Sequence, residues 1–248
     1  SRLYIDMLSE TGVIPVVQSK WFATVVVESP DSTVAEQLQQ LAIVDSVKWI
    51  WKGNLRVPAE EKGEDRFVPE DEPLCNEYGY AHKQIKMLNG TKLHEAGFQG
   101  EGMRVAVIDA GFMNADRVSA FDSLRLLGTH NVVFPGKSVF VGDDHGTKVL
   151  SCLAADIPGV MVGTAPKASY LLLKSEDSDS EYPIEEDYWT AAVEYADSAG
   201  VDVISSSLGY FAFDADELSY EQAALDGKTA MISQAAHLAA DKGMLVFC

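Results

Sequence analysis

Apolar positions along this chain repeat with two periods. Arg104-Val-Ala-Val-Ile-Asp109 is a continuous apolar run closed by a carboxylate, and Ala168-Ser-Tyr-Leu-Leu-Leu-Lys174, Val201-Asp-Val-Ile-Ser-Ser-Ser-Leu-Gly209 and Met244-Leu-Val-Phe-Cys248 have the same form. Short runs of this kind read as strands buried on both faces. Between them the period changes to the helical one. Val149, Leu150, Cys152, Leu153 and Ala154 follow His145, and Ile184, Tyr188, Trp189, Ala192, Val193 and Ala196 follow Pro183, with Gly200 as the stop. A further helix runs from Thr229 to Asp241 and is closed by Gly243, while His130 to Phe134 reads as a short strand. Tyr78 to Asn89 and Gly90 to Gly100 read as helical, the second opened near Thr91 and Glu95 and ended by Gly97 and Gly100. Strand and helix alternate throughout, so the fold class is α/β with a doubly wound parallel sheet.

The amino-terminal part has another order. Residues 2 to 9 read as a helix with Leu3, Ile5, Met7 and Leu8 partly buried, and Gly12 stops it. Val13 to Gln18 and Trp21 to Glu28 are β-rich runs around a hairpin-like break, Ser29-Pro-Asp-Ser-Thr33 opens a helix to Leu41, and Val44 to Trp51 reads as a third strand. This is a small α+β domain over residues 1–53 that would close with one more strand. Residues 54–77 lose periodicity and collect Glu60, Glu61, Glu64, Asp65, Glu70, Asp71, Glu72 and Glu77 with three prolines, which reads as an acidic linker. The third segment is residues 78–248.

Net charge is −19 at pH 7, which argues against nucleic acid or an anionic membrane surface as partner. No apolar run approaches the roughly 20 residues of a membrane span. Cys75, Cys152 and Cys248 are too few and too scattered for a disulfide framework or a metal site, and Cys152 reads as a small buried hydrophobe.

The chemistry gathers around Val141-Gly-Asp-Asp-His-Gly-Thr-Lys148. An Asp at the carboxyl end of a parallel strand, here Asp109, stands where open sheets form their crevices. If it accepts a hydrogen bond from His145, it fixes the tautomer, frees the other ring nitrogen to act as a base and stabilises the imidazolium. Gly146 leaves the backbone room beside the ring, and Asp143 or Asp144 can cap the helix. Taken singly, each of these residues is common in any α/β sheet.

Together, Val-Ala-Val-Ile-Asp109-Ala-Gly111 and Asp144-His145-Gly146-Thr147 resemble the first two triad motifs of the subtilisin-like serine proteases, whose chain order is Asp, His, Ser. Gly163-Thr-Ala-Pro166 resembles a turn of that family, and Ser207-Leu208-Gly209 resembles the strand tail that pairs with an extended substrate. The resemblance covers residues 78 to 248, and more loosely 14 to 52, where element order is similar to that of the family's prodomain without its first strand.

The resemblance implies a subtilisin-like, truncated catalytic domain with Asp109 and His145 catalytic and Ser207, Leu208 and Gly209 substrate-binding. It implies a peptide or protein substrate, the chain's own prodomain as intramolecular inhibitor, and a secreted zymogen. No cofactor or metal is called for by the residues, with calcium left open. The family's oxyanion Asn and Gly-Thr-Ser nucleophile motif do not occur, so a fragment of an endopeptidase, inactive as it stands, is expected. A catalytically inactive peptide-binding module of the same fold is the alternative. Two positions depart from the family's wording: Ala110 stands where Ser or Thr is usual, and Lys148 where many members have a second His. A nucleotide-binding α/β protein is disfavoured by the lack of Gly-x-Gly-x-x-Gly after a strand.

Overall fold

The computed structural model describes residues 2–50 and 76–248. Its amino-terminal unit contains α1 (Arg2–Ser9), the antiparallel pair β1 (Ile14–Ser19) and β2 (Thr24–Glu28), and α2 (Val34–Gln39). Leu8, Val13, Val34 and Leu38 form its small core. Leu3, expected to be partly buried, is exposed, because five residues along a helix place it about 140° from the inward-facing Leu8. The strand expected over 44–51 is not formed within its described part, residues 44–50, although Ile50 packs on the main core. A strand needs a ladder partner, and neither edge of the β1–β2 pair accepts this segment. Trp51, Cys75 and the linker up to Cys75 lie outside the described residues.

The larger unit opens with α3 (His82–Met87) and α4 (Gly90–Glu95), followed by β3 (Arg104–Asp109), β4 (Arg125–Asn131) and α5 (His145–Ala154). A short antiparallel pair, β5 (Asp156–Ile157) and β6 (Met161–Val162), precedes β7 (Ser169–Lys174), α6 (Ile184–Ser198), β8 (Val203–Ser206), α7 (Met231–Asp241) and β9 (Leu245–Phe247). The five long-range strands form one parallel sheet in the order β4-β7-β3-β8-β9. The strand expected at 130–134 starts earlier and stops at Asn131, whose side-chain oxygen accepts the Phe134 N–H at 2.8 Å and turns the chain inward.

Pleat alternation sorts the continuous apolar runs onto two faces. Ala106, Ile108, Leu171, Leu173 and Ile204 pack against α6 and α7, with all six helix-spaced residues of α6 buried among them. Val105, Val107, Tyr170 and Leu172 pack on the other face, with Leu150 and Ala154 of α5. Asp109 shares the parity of 105 and 107, so β3 delivers it to the α5 side. Cys152 is exposed rather than buried, since it is two positions, about 200°, around the helix from Leu150. Among the described residues no helix is long and apolar enough to cross a membrane.

The two units meet through α6 and the β1–β2 hairpin. The half-buried Glu194 carboxylate accepts the Ser19 hydroxyl at 2.5 Å and the backbone N–H groups of Lys20 and Trp21 at 3.0 and 3.1 Å. Val16, Val17, Trp21, Phe22 and Val26 pack against the main core, and Lys242 Nζ lies 5.3 Å from the centre of the Trp21 ring.

Candidate active site

Asp109 is fully buried at the end of β3, and His145 opens α5 with about half of its side chain exposed. His145 Nδ1 lies 2.7 Å from Asp109 Oδ1, which also accepts the Ala110 N–H at 2.8 Å. Asp143 Oδ1 accepts the His145 N–H at 2.7 Å and its other oxygen accepts the Ser178 hydroxyl at 3.0 Å. Thus Asp143, of the two Asp residues proposed to cap this helix, bonds its first N–H, while Asp144 pairs with Lys148 at 2.7 Å one turn on. Gly146 fits because a Cβ there would come within 2.9 Å of both Asp109 Cβ and Phe112 Cε1.

The electrostatics follow from this packing. Burial pushes the Asp109 carboxyl up from its ordinary value, while the hydrogen bond from His145 and the Ala110 N–H hold it down. The same hydrogen bond raises the His145 imidazole, further supported by Asp143 and Glu176. Asp109 Oδ2 is buried without a hydrogen-bond partner, as expected where residue 110 is Ala and offers no hydroxyl. Among the described residues no group of three or more His, Cys, Asp or Glu is placed to hold a metal ion.

On the two sides of β3 the flanking strands run past Asp109. Lys174, the register partner of Asp109 on β7, sends its buried ammonium to the Ala110 carbonyl oxygen. On β8, Ser205 and Ser206 pair with Val107 and Ile108, so the next residues, Ser207, Leu208 and Gly209, leave the sheet beside Asp109. Ser207 and Gly209 are exposed, Leu208 packs against the main core, and a Cβ at Gly209 would meet open space. Ser206 turns to the opposite face and accepts the Trp189 indole N–H at 2.8 Å.

Sequence reasoning missed Glu176, whose charge acts on His145, and Glu181, Glu185 and Tyr210, which interact with Glu176 or with one another. Burial pushes Glu176 up to about 7 and Glu185 up to about 9. The acidic opening of α6 reads from sequence as an exposed first turn favoured by the helix dipole, and only the sheet that packs on it reveals the burial.

No family model matches the chain. Subtilisin E of Bacillus subtilis (strain 168) is 32% identical over 150 residues, covering 58% of this chain and 36% of that protein. Subtilisin J of Geobacillus stearothermophilus is 31% identical over the same shares. The chain therefore spans 36% of the length of these curated relatives. Among solved structures, fervidolysin from Fervidobacterium pennivorans, described as a keratinolytic enzyme related to subtilisin, superposes with a TM-score of 0.60 at 17% identity, over 99% of this chain and 38% of that one. The epidermin leader peptide processing serine protease of Staphylococcus aureus gives 0.60 at 16% identity, over 99% of this chain and 56% of that one. The five-stranded parallel sheet with its flanking helices is the subtilisin-like α/β fold. The sequence similarity to the subtilisins, together with the shared fold, supports a protein of the subtilase family.

Proposed function

We propose that this chain is part of a subtilisin-like serine endopeptidase zymogen, and that it supplies the acid and the base of an Asp-His-Ser triad. The observation that carries the reading is the 2.7 Å contact of His145 Nδ1 with a fully buried Asp109. Asp109 accepts the Nδ1 proton, so Nε2 keeps its lone pair on the exposed side of the ring. That nitrogen removes the hydroxyl proton of a serine supplied from outside these 248 residues as the oxygen attacks the peptide carbonyl. It then returns the proton to the leaving amine, while Asp109 stabilises the imidazolium. General base catalysis of this kind contributes about 10²–10⁴ in rate.

Ser207, Leu208 and Gly209 are read as the segment on which an extended substrate adds a strand, since backbone pairing accepts any sequence. Residues 1–53 are read as an inhibitory prodomain, supported by the Glu194 contacts with the hairpin and by Ile50 packing against the main core. Residues 54–77 are the linker, residues 78–248 belong to the catalytic domain, and the setting is extracytoplasmic.

A catalytically inactive peptide-binding module is the second reading, favoured by Asp109 Oδ2, which no hydroxyl at residue 110 supports. One experiment separates the two. The full-length gene product, activated by proteolysis, is treated with a fluorophosphonate probe. Serine labelling that is lost in His145→Ala is the expected outcome. Absence of labelling, or labelling indifferent to that substitution, rejects the triad.

A further inference from the structure

The residue two before His145 touches each element that meets at the site. Asp143 is partly buried, and its main chain is pinned to the turn that follows Asp109. Its carbonyl oxygen accepts the Met113 N–H at 2.9 Å, and Gly111 passes so close that a Cβ there would come within 2.8 Å of that oxygen. The side chain reaches the other two elements. Oδ1 accepts the His145 N–H at 2.7 Å at the start of α5, and Oδ2 accepts the Ser178 hydroxyl at 3.0 Å on the segment that leaves β7. One residue thus joins the ends of β3 and β7 to the first turn of α5.

That turn needs holding. About half of the His145 side chain is exposed, so packing alone does not fix it. A helix start frays unless its free N–H groups find acceptors, and a carboxylate is a strong one. An aspartate whose second oxygen ended in water would tie the turn only to itself. Here the second oxygen is bonded to Ser178, so the start of α5 is fixed relative to the sheet. Thr147 strengthens the same joint, donating its hydroxyl to the Met113 carbonyl at 2.8 Å.

The geometry points to Asp143 as a positioning residue for the general base, a carboxylate that sets the His145 ring against Asp109 by bonding the His145 backbone and anchoring it to Ser178. This rests on the acid and base of the proposed function. The charge of Asp143 has a second effect, since together with Asp109 on β3 and Glu176 beyond β7 it raises the His145 imidazole. The buried Lys174 is the cation on which Asp143 and Asp109 both act. Substitution separates the two effects. Asn at 143 keeps an acceptor for the His145 N–H and offers an amide donor to the Ser178 oxygen, whereas Ala gives up both.

The test compares Asp143→Ala, Asp143→Asn and Ser178→Ala in the full-length protein activated by proteolysis. Asp143→Ala is expected to lower kcat about a hundredfold, the scale of a catalytic group displaced by about 1 Å, with KM little changed. Asp143→Asn should recover most of that loss and move the acid limb of kcat/KM to lower pH, because an imidazole without this neighbouring negative charge sheds its proton more readily. Ser178→Ala, at an exposed position where folding is not at stake, should cost about tenfold or less in kcat. Full kcat in Asp143→Ala, no recovery in Asp143→Asn, or full kcat in Ser178→Ala overturns the proposal. The low-field proton resonance of the His145 Nδ1–H group gives a readout that needs no turnover. Its loss in Asp143→Ala and return in Asp143→Asn uphold the positioning role even where no serine is labelled, and a resonance unchanged in Asp143→Ala rejects it.

Discussion

Gly146 decides how close His145 can come to Asp109. A methyl group at 146 would press first on the Gly111 carbonyl oxygen and then on Asp109 Cβ and the Phe112 ring edge, both 2.9 Å away, and none of these is the free end of a flexible chain. The relief available is a shift of the first turn of α5, which carries the imidazole with it. Misplacing a catalytic group by about 1 Å costs on the order of 10² in rate, and overpacking costs about 1–3 kcal/mol of stability. Gly146→Ala in the full-length protein is therefore expected to lose about two orders of magnitude in kcat and to unfold at a lower temperature. An unchanged kcat would show that the close approach does not position the ring.

Among the elements, α6 joins the sheet to the hairpin. Its inward face packs on the sheet, and Glu194 gathers three hydrogen bonds from the β1–β2 turn. A hydrogen bond to a charged group contributes about 1.5–3 kcal/mol, so Glu194→Ala should loosen the hairpin by at least that amount. Hydrogen exchange at the amides of Lys20 and Trp21 is the check, with faster exchange expected and unchanged exchange ruling out the joint. The inward face of α6 could be read in advance because Ile184, Tyr188, Trp189, Ala192, Val193 and Ala196 repeat at helical spacing. Likewise the meeting of Asp109 and His145 was legible from an apolar run ending in the one and a helix opening with the other. Residues 44–50 misled, since β-rich composition says nothing about whether a ladder partner exists. Cys152 misled because residue type was weighed over helix face: seven residues from His145, it shares the exposed side that the imidazole occupies.

For the whole molecule, the buried carboxyl groups make stability depend on pH. Burial pushes Glu185 up to about 9 and Asp187 and Glu176 up to about 7, against ordinary values near 4 to 4.5. The folded state thus holds protons that the unfolded chain releases. Their stabilising contribution is complete below the unfolded values and is lost as pH rises through 7 to 9. The raised His145 acts in the same sense, and the lowered Lys174 in the opposite one. The melting temperature is expected to fall between pH 6 and about pH 9.5 at constant ionic strength, and Glu185→Gln should flatten the alkaline part of that fall. A melting temperature that is level or climbs over this range contradicts the assignment. The Glu194 joint carries one more consequence. Two of its three bonds come from main-chain N–H groups, so at positions 20 and 21 it asks for a backbone path and ignores what hangs from it. As far as this joint is concerned, sequence can drift at position 20 and proline is barred from both places, while Trp21 is held besides by its packing on the main core.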